Sequence, residues 1–116
     1  LILTGLGLAY LIADDLNSAR RHLTRAVQLD GNYFNSRLGL GYALLEQKDG
    51  QRAVEQLEAG MKLLPTLNGA YLLAHGYEQT GKPDQALELY RSVVEADRGG
   101  NLGRAAAARI QVLEGR

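Results

Sequence analysis

The chain has 116 residues, room for one compact domain or a short repeat array, and 46% of them are hydrophobic, ample for a core. Thirteen basic and thirteen acidic residues cancel, so the basic excess of a nucleic-acid binder is missing and no nucleic-acid partner is expected. Without cysteine, disulfides and thiolate metal sites are excluded and the redox compartment stays open.

In chain order, the opening from Leu1 to Ala13 carries no charge. It is shorter than the roughly 20 residues of a membrane span, and it lacks the basic leader of a signal peptide. The start at Leu1 rather than Met reads as a piece of a longer protein or a processed product. Any targeting signal is then expected upstream, leaving cytoplasm and periplasm both open. Helices are expected over 2–13, 16–29, 33–46, 51–63, 67–79, 83–97 and 101–114. Apolar stripes at three- and four-residue steps mark three of them: Leu16, Ala19, Leu23, Ala26, Val27; Ala53, Val54, Leu57, Met61, Leu64; and Ala86, Leu87, Tyr90, Val93, Val94. Charges such as Arg20, Arg21, Glu55, Glu58, Glu88 and Arg91 fall outside the stripes. Breakers separate the helices at Asp14-Asp15, Asp30-Gly31-Asn32, Asp49-Gly50, Pro65-Thr66, Gly81-Lys82-Pro83 and Arg98-Gly99-Gly100, with Pro83 suited to a first helical turn.

The chain repeats itself. Gly7, Tyr10, Ala19, Leu23, Ala26 and Gly31 recur 34 residues later as Gly41, Leu44, Ala53, Leu57, Gly60 and Pro65. Ala74, Tyr77, Ala86, Tyr90, Val93 and Arg98 follow at an offset of 33. Small residues sit where two helices of a hairpin must approach closely, and larger ones fill the space beside them. One hairpin cannot bury its own stripe, so neighbouring units must stack.

This spacing resembles the tetratricopeptide repeat family over residues 1–100. The resemblance implies an all-α, right-handed α-α superhelix of about seven helices, with units at 1–33, 34–66 and 67–100. Residues 101–116 then form a capping helix or a truncated fourth repeat. There Leu102, Ala105, Ala106, Ile110 and Leu113 are expected to cover the last hairpin, while Arg104 and Arg109 face solvent. Identity departs from the family where Leu3, Arg37 and Ala70 replace the opening aromatic, and where Gly31 and Arg98 replace the closing proline.

Family geometry puts the first helix of each unit on an inner face. That face would carry Thr4, Gly5, Leu8, Leu11 and Ile12, then Asn35, Leu38, Gly39, Tyr42, Leu45 and Glu46, then Asn68, Tyr71, Leu72, His75, Glu78 and Gln79. The slots that grip a C-terminal carboxylate in some members hold no basic residue here, which argues against such a clamp. An apolar segment, extended or helical, is expected instead, with Asn35, Leu38, Tyr42, Glu46, Asn68, Tyr71, His75 and Gln79 as the groove and Tyr42 and Tyr71 as anchors. Gly5 and Gly39 share one inner slot, where either helices pack closely or a ligand backbone approaches.

No catalytic or metal-binding constellation is expected, and no cofactor. His22 and His75 lie in separate units. Ser18, Ser36 and Ser92 read as capping or exposed. Gly5-Leu6-Gly7 lacks the strand and third glycine of a dinucleotide loop, and Asp14-Asp15 suits a helix N-terminus. The leading expectation is therefore a non-enzymatic protein-interaction scaffold within a larger, bacterial protein. The alternative is a structural segment that forms a homo-dimer, or receives an upstream repeat, through Leu1, Ile2, Leu8 and Ile12, because a helix apolar on all sides is normally covered. A third reading gives the parent an enzyme domain elsewhere.

Overall fold

The computed structural model describes residues 7–8 and 15–115. Gly7 and Leu8 are helical, and six helices follow: α1 (Leu16–Leu29), α2 (Phe34–Glu46), α3 (Gly50–Leu63), α4 (Leu67–Gln79), α5 (Pro83–Ala96) and α6 (Asn101–Glu114). The expected spans from 16 onward agree to within a residue. Most of the expected helix at 2–13 lies outside the described residues.

Local chemistry fixes the helix ends. The Asp15 carboxylate accepts the Ser18 amide at 3.2 Å and the Thr66 hydroxyl accepts the Gly69 amide at 3.0 Å, capping α1 and α4. Pro83 opens α5, where its missing N–H costs nothing. The turns after α2 and α4 share one construction. The Asp49 amide reaches the Leu44 carbonyl and the Lys82 amide reaches the Tyr77 carbonyl, each at 2.8 Å, around a residue in the left-handed conformation. That residue is Gly81 at φ +73° in one turn and Lys48 at φ +62° in the other.

Each helix packs on the next, and α2 also touches α4, as α4 touches α6. The first helices of successive units thus form one layer and the second helices another, in a body of 41 × 24 × 24 Å. The small slots Ala19, Ala53, Ala74 and Ala86 are fully buried, with Leu23, Leu57 and Tyr90 beside them. A methyl group on Gly7 would sit 2.4 Å from Leu23, and one on Gly41 would sit 2.5 Å from Leu57. The hairpins close this tightly because those positions are glycine.

Three expectations are corrected. Leu64 leaves the α3 stripe: it follows the helix with extended backbone and is 52% exposed, because the turn into Pro65 rotates it outward. Ser36 is fully buried rather than exposed. Arg109 does not face solvent but turns inward onto α4. The rest of α6 packs as expected, with Ala106 buried and Leu102, Ile110 and Leu113 against the core. Its first turn lies so close to the end of α5 that a side chain on Gly103 would collide with the Asp97 backbone, while the Asp97 carboxylate accepts the Gly103 amide at 3.0 Å.

Candidate functional site

On α2, Asn35, Leu38, Tyr42 and Glu46 are spaced three or four apart, and so are Asn68, Tyr71, His75 and Gln79 on α4, so each set forms one face. The two faces border a groove with two recesses. One, of about 330 Å³, is lined by Leu8, Asn35, Leu38, Gly39, Tyr42, Asn68, Tyr71 and Leu72. The other, of about 310 Å³, is lined by Leu45, Glu46, Lys48, His75 and Gln79, and shares Tyr42, Tyr71 and Leu72 as the wall between them. All eight residues expected in a groove therefore meet along one surface. Larger hollows lie along one flank of α1 and beside the polar turns around Asp49 and Lys82. They lack an apolar floor shared by two first helices.

Of the other residues assigned to the inner face, Leu45 reaches the second recess from the core, whereas Glu78 lines neither recess. Leu45 is 5% exposed in the core. Glu78 lies under the groove, where its carboxylate accepts the Tyr90 hydroxyl and two donors of the Arg109 guanidinium, one of them at 3.1 Å. Burial alone would raise its pKa, but the bonds from Arg109 and Tyr90 outweigh burial and hold the carboxyl below its usual range. Burial and the Glu78 bond push the Tyr90 phenol up. Burial likewise lifts the Tyr77 hydroxyl, bonded to Glu58 at 2.6 Å, to about 12.

His75 stands edge-on to Tyr71 and Tyr90, with ring centres 4.7 and 5.7 Å apart, and its Nδ1 is 3.8 Å from Glu78. Desolvation lowers its pKa against the pull of Glu78, so the neutral ring is favoured. Tyr71 completes the cluster at 5.8 Å from Tyr90. It is an anchored ring with one side on the groove, whereas Tyr42 is 39% exposed. Gly39 is buried, and a methyl there would meet Leu8 at 3.0 Å and Leu23 at 3.2 Å. Close helix packing thus accounts for this glycine; Gly5 lies outside the described residues.

Of the residues expected to self-associate or meet an upstream repeat, Leu1, Ile2 and Ile12 lie outside the described residues. Leu8 lines the apolar recess. Among the described residues, no three histidine, aspartate or glutamate side chains converge to hold a metal, and no helix is long and apolar enough to cross a membrane. Sequence reasoning missed the Glu78–Tyr90–Arg109 cluster. Its signal was Tyr90 itself: a phenol in the slot that holds Leu23 and Leu57 must find a partner for its hydroxyl.

The tetratricopeptide repeat family profile matches residues 10–74, and a second profile of the same family matches residues 68–99. The chain belongs to the tetratricopeptide repeat family. No curated protein matches it. Among solved structures, MamA AMB-1 is 27% identical, with a TM-score of 0.77 over 90% of this chain and 57% of that one. The chain thus spans a little over half the length of the MamA structure. The Yersinia enterocolitica type III secretion translocator chaperone SycD is 16% identical, with a TM-score of 0.85 over 97% of this chain and 89% of its own. PcrH, solved in complex with the chaperone binding region of PopD, is 20% identical, with a TM-score of 0.85 over 98% of this chain and 90% of its own. At such identities the last two show the fold alone. The fold and family define a protein-interaction scaffold.

Proposed function

We propose that the chain binds an apolar, extended segment of a partner protein in the groove between α2 and α4, with Tyr42 and Tyr71 as anchors and without catalysis. One observation carries this reading: an apolar recess of about 330 Å³ flanked by a tyrosine that is 39% exposed. An exposed aromatic beside such a recess offers a large contact area at low entropic cost. The described residues that line the recess include no basic side chain, which supports an apolar ligand over a carboxylate tail. The PcrH complex gives a precedent, since that protein of like architecture holds a segment of PopD. His75 is enclosed by two rings over a carboxylate already bonded by Tyr90 and Arg109, which suits a wall better than a proton shuttle.

Panning a random peptide display library on the purified chain tests this. Apolar sequences should be enriched, and Tyr42→Ala should weaken the selected peptides by about tenfold or more at unchanged helix content. Enrichment of peptides whose binding ignores Tyr42 and Tyr71 would place the site elsewhere.

A further inference from the structure

Resting on the groove reading above, the electrostatics of the second recess specify the ligand further. The apolar recess gathers residues 35–42 of α2 and 68–72 of α4, and the polar recess gathers 42–48 and 71–79. The two helices therefore run in the same direction, and both C-terminal ends border the polar recess. Each such end is the negative pole of its helix dipole. Glu46 stands in the last turn of α2, where a carboxylate works against that dipole. It is exposed and takes no hydrogen bond or ion pair among the described residues.

Two other carboxylates nearby are engaged. Glu78 is bonded by Tyr90 and Arg109, and Asp49 meets Arg20 at 3.2 Å and Arg52 at 3.7 Å. The opposing charge is Lys48, just past α2, which also borders the space lined by Asp49, Glu55 and Glu58. His75 adds no charge while its ring is neutral.

We propose that the groove selects a peptide in which a lysine or arginine that pairs with Glu46 stands two or three positions from an apolar residue. The spacing follows from the helices. The centres of the recesses lie roughly 6–10 Å apart along α2 and α4 at about 1.5 Å per residue. An extended chain covers that distance in two or three residues at about 3.3 Å each.

The test uses amidated, fluorescein-labelled hexapeptides Ser-Leu-Leu-Ser-X-Ser and, for the opposite chain direction, Ser-X-Ser-Leu-Leu-Ser, with X as Lys, Ser or Glu, read by anisotropy on the full chain. The expected order in at least one direction is Lys, Ser, Glu, with the Lys probe about three- to fivefold tighter than the Ser probe at low salt. High salt should compress the series, Glu46→Gln should abolish it, and Lys48→Gly should widen it. Equal affinity for the Lys and Glu probes in both directions, or a preference that survives Glu46→Gln, overturns the inference. If the Ser probe binds and depends on Tyr42 while charge is immaterial, the groove reading stands and this inference alone falls. If no probe binds, both fall.

Discussion

Arg37 donates from Nε to the Gly31 carbonyl at 2.6 Å, and its Nη1 reaches Gln56 at 3.1 Å. Both residues depart from the family pattern, Arg37 where an aromatic often opens the first helix and Gly31 where a proline often closes the unit. They depart together. A methyl on Gly31 would meet Arg37 Nη2 at 2.7 Å, so the guanidinium occupies space that a side chain there would need. A charged group tied to the turn thus holds α2 against α1 and α3.

Arg37→Ala should therefore cost about 1–2 kcal/mol, the worth of hydrogen bonds to a charged group. Amide exchange should rise first at 30–33. Unchanged exchange there, measured by mass spectrometry, would show that the turn is held by α1 and α2 alone.

The Glu78–Tyr90–Arg109 cluster makes a second prediction. Arg109→Ala removes two of the three donors from a carboxylate that is 12% exposed. A loss of roughly 1–3 kcal/mol in urea unfolding is expected, with α6 losing protection before the rest of the chain. Tyr90→Phe keeps the ring and removes one donor, and should cost about 1 kcal/mol. If α6 kept its protection in Arg109→Ala, its docking would rest on Leu102, Ala106, Ile110 and Leu113 instead.

The same cluster sets the response to acid. The pKa of His75 is lowered from 6.5 by desolvation, so below pH 6.5 the unfolded chain takes up a proton that the folded chain resists. Stability should fall as pH drops from 6.5 toward the folded value. Glu78 acts lower down: its contribution is whole above 4.5 and is lost as pH falls through its depressed folded value. Urea midpoints across a pH series should show both stages, and His75→Gln should flatten the first. An equal fall in that variant would assign the upper stage to another group.

Two glycines predict opposite signs. Gly41→Ala drives a methyl to 2.5 Å from the buried Leu57 side chain, and should destabilise by about 1–3 kcal/mol despite the better helix former. At Gly60 the nearest atom would be 3.5 Å away, an ordinary contact, so Gly60→Ala should stabilise by about 0.5–1 kcal/mol. The first unit already holds Ala26 at the equivalent position. Thermal melts of the pair would reverse the assignment of the tight contact if their order were inverted.

The period of the chain made the helices and the tight contacts legible, because a buried slot repeats its demand for a small or large residue in each unit. The groove faces were legible for the same reason: Tyr42 and Tyr71 follow from helical phase once the first helices are known. Arg109 was not. Its partner lies 31 residues away, and an arginine on an amphipathic helix gives no local sign that it turns inward. Leu64 failed for a complementary reason, since the periodic pattern ran one residue past the point where the helix stops.

Tyr90 also limits how the units can be rearranged. Leu23 and Leu57 ask nothing of their surroundings beyond space, so the first two hairpins are keyed by shape. The third is keyed by chemistry: its phenol needs Glu78, and Glu78 needs an arginine brought by the helix that follows. Moved to an interior place without α6 behind it, the third hairpin would bury a carboxylate with only one donor. Its order in the chain is therefore fixed by a side chain that belongs to the next helix.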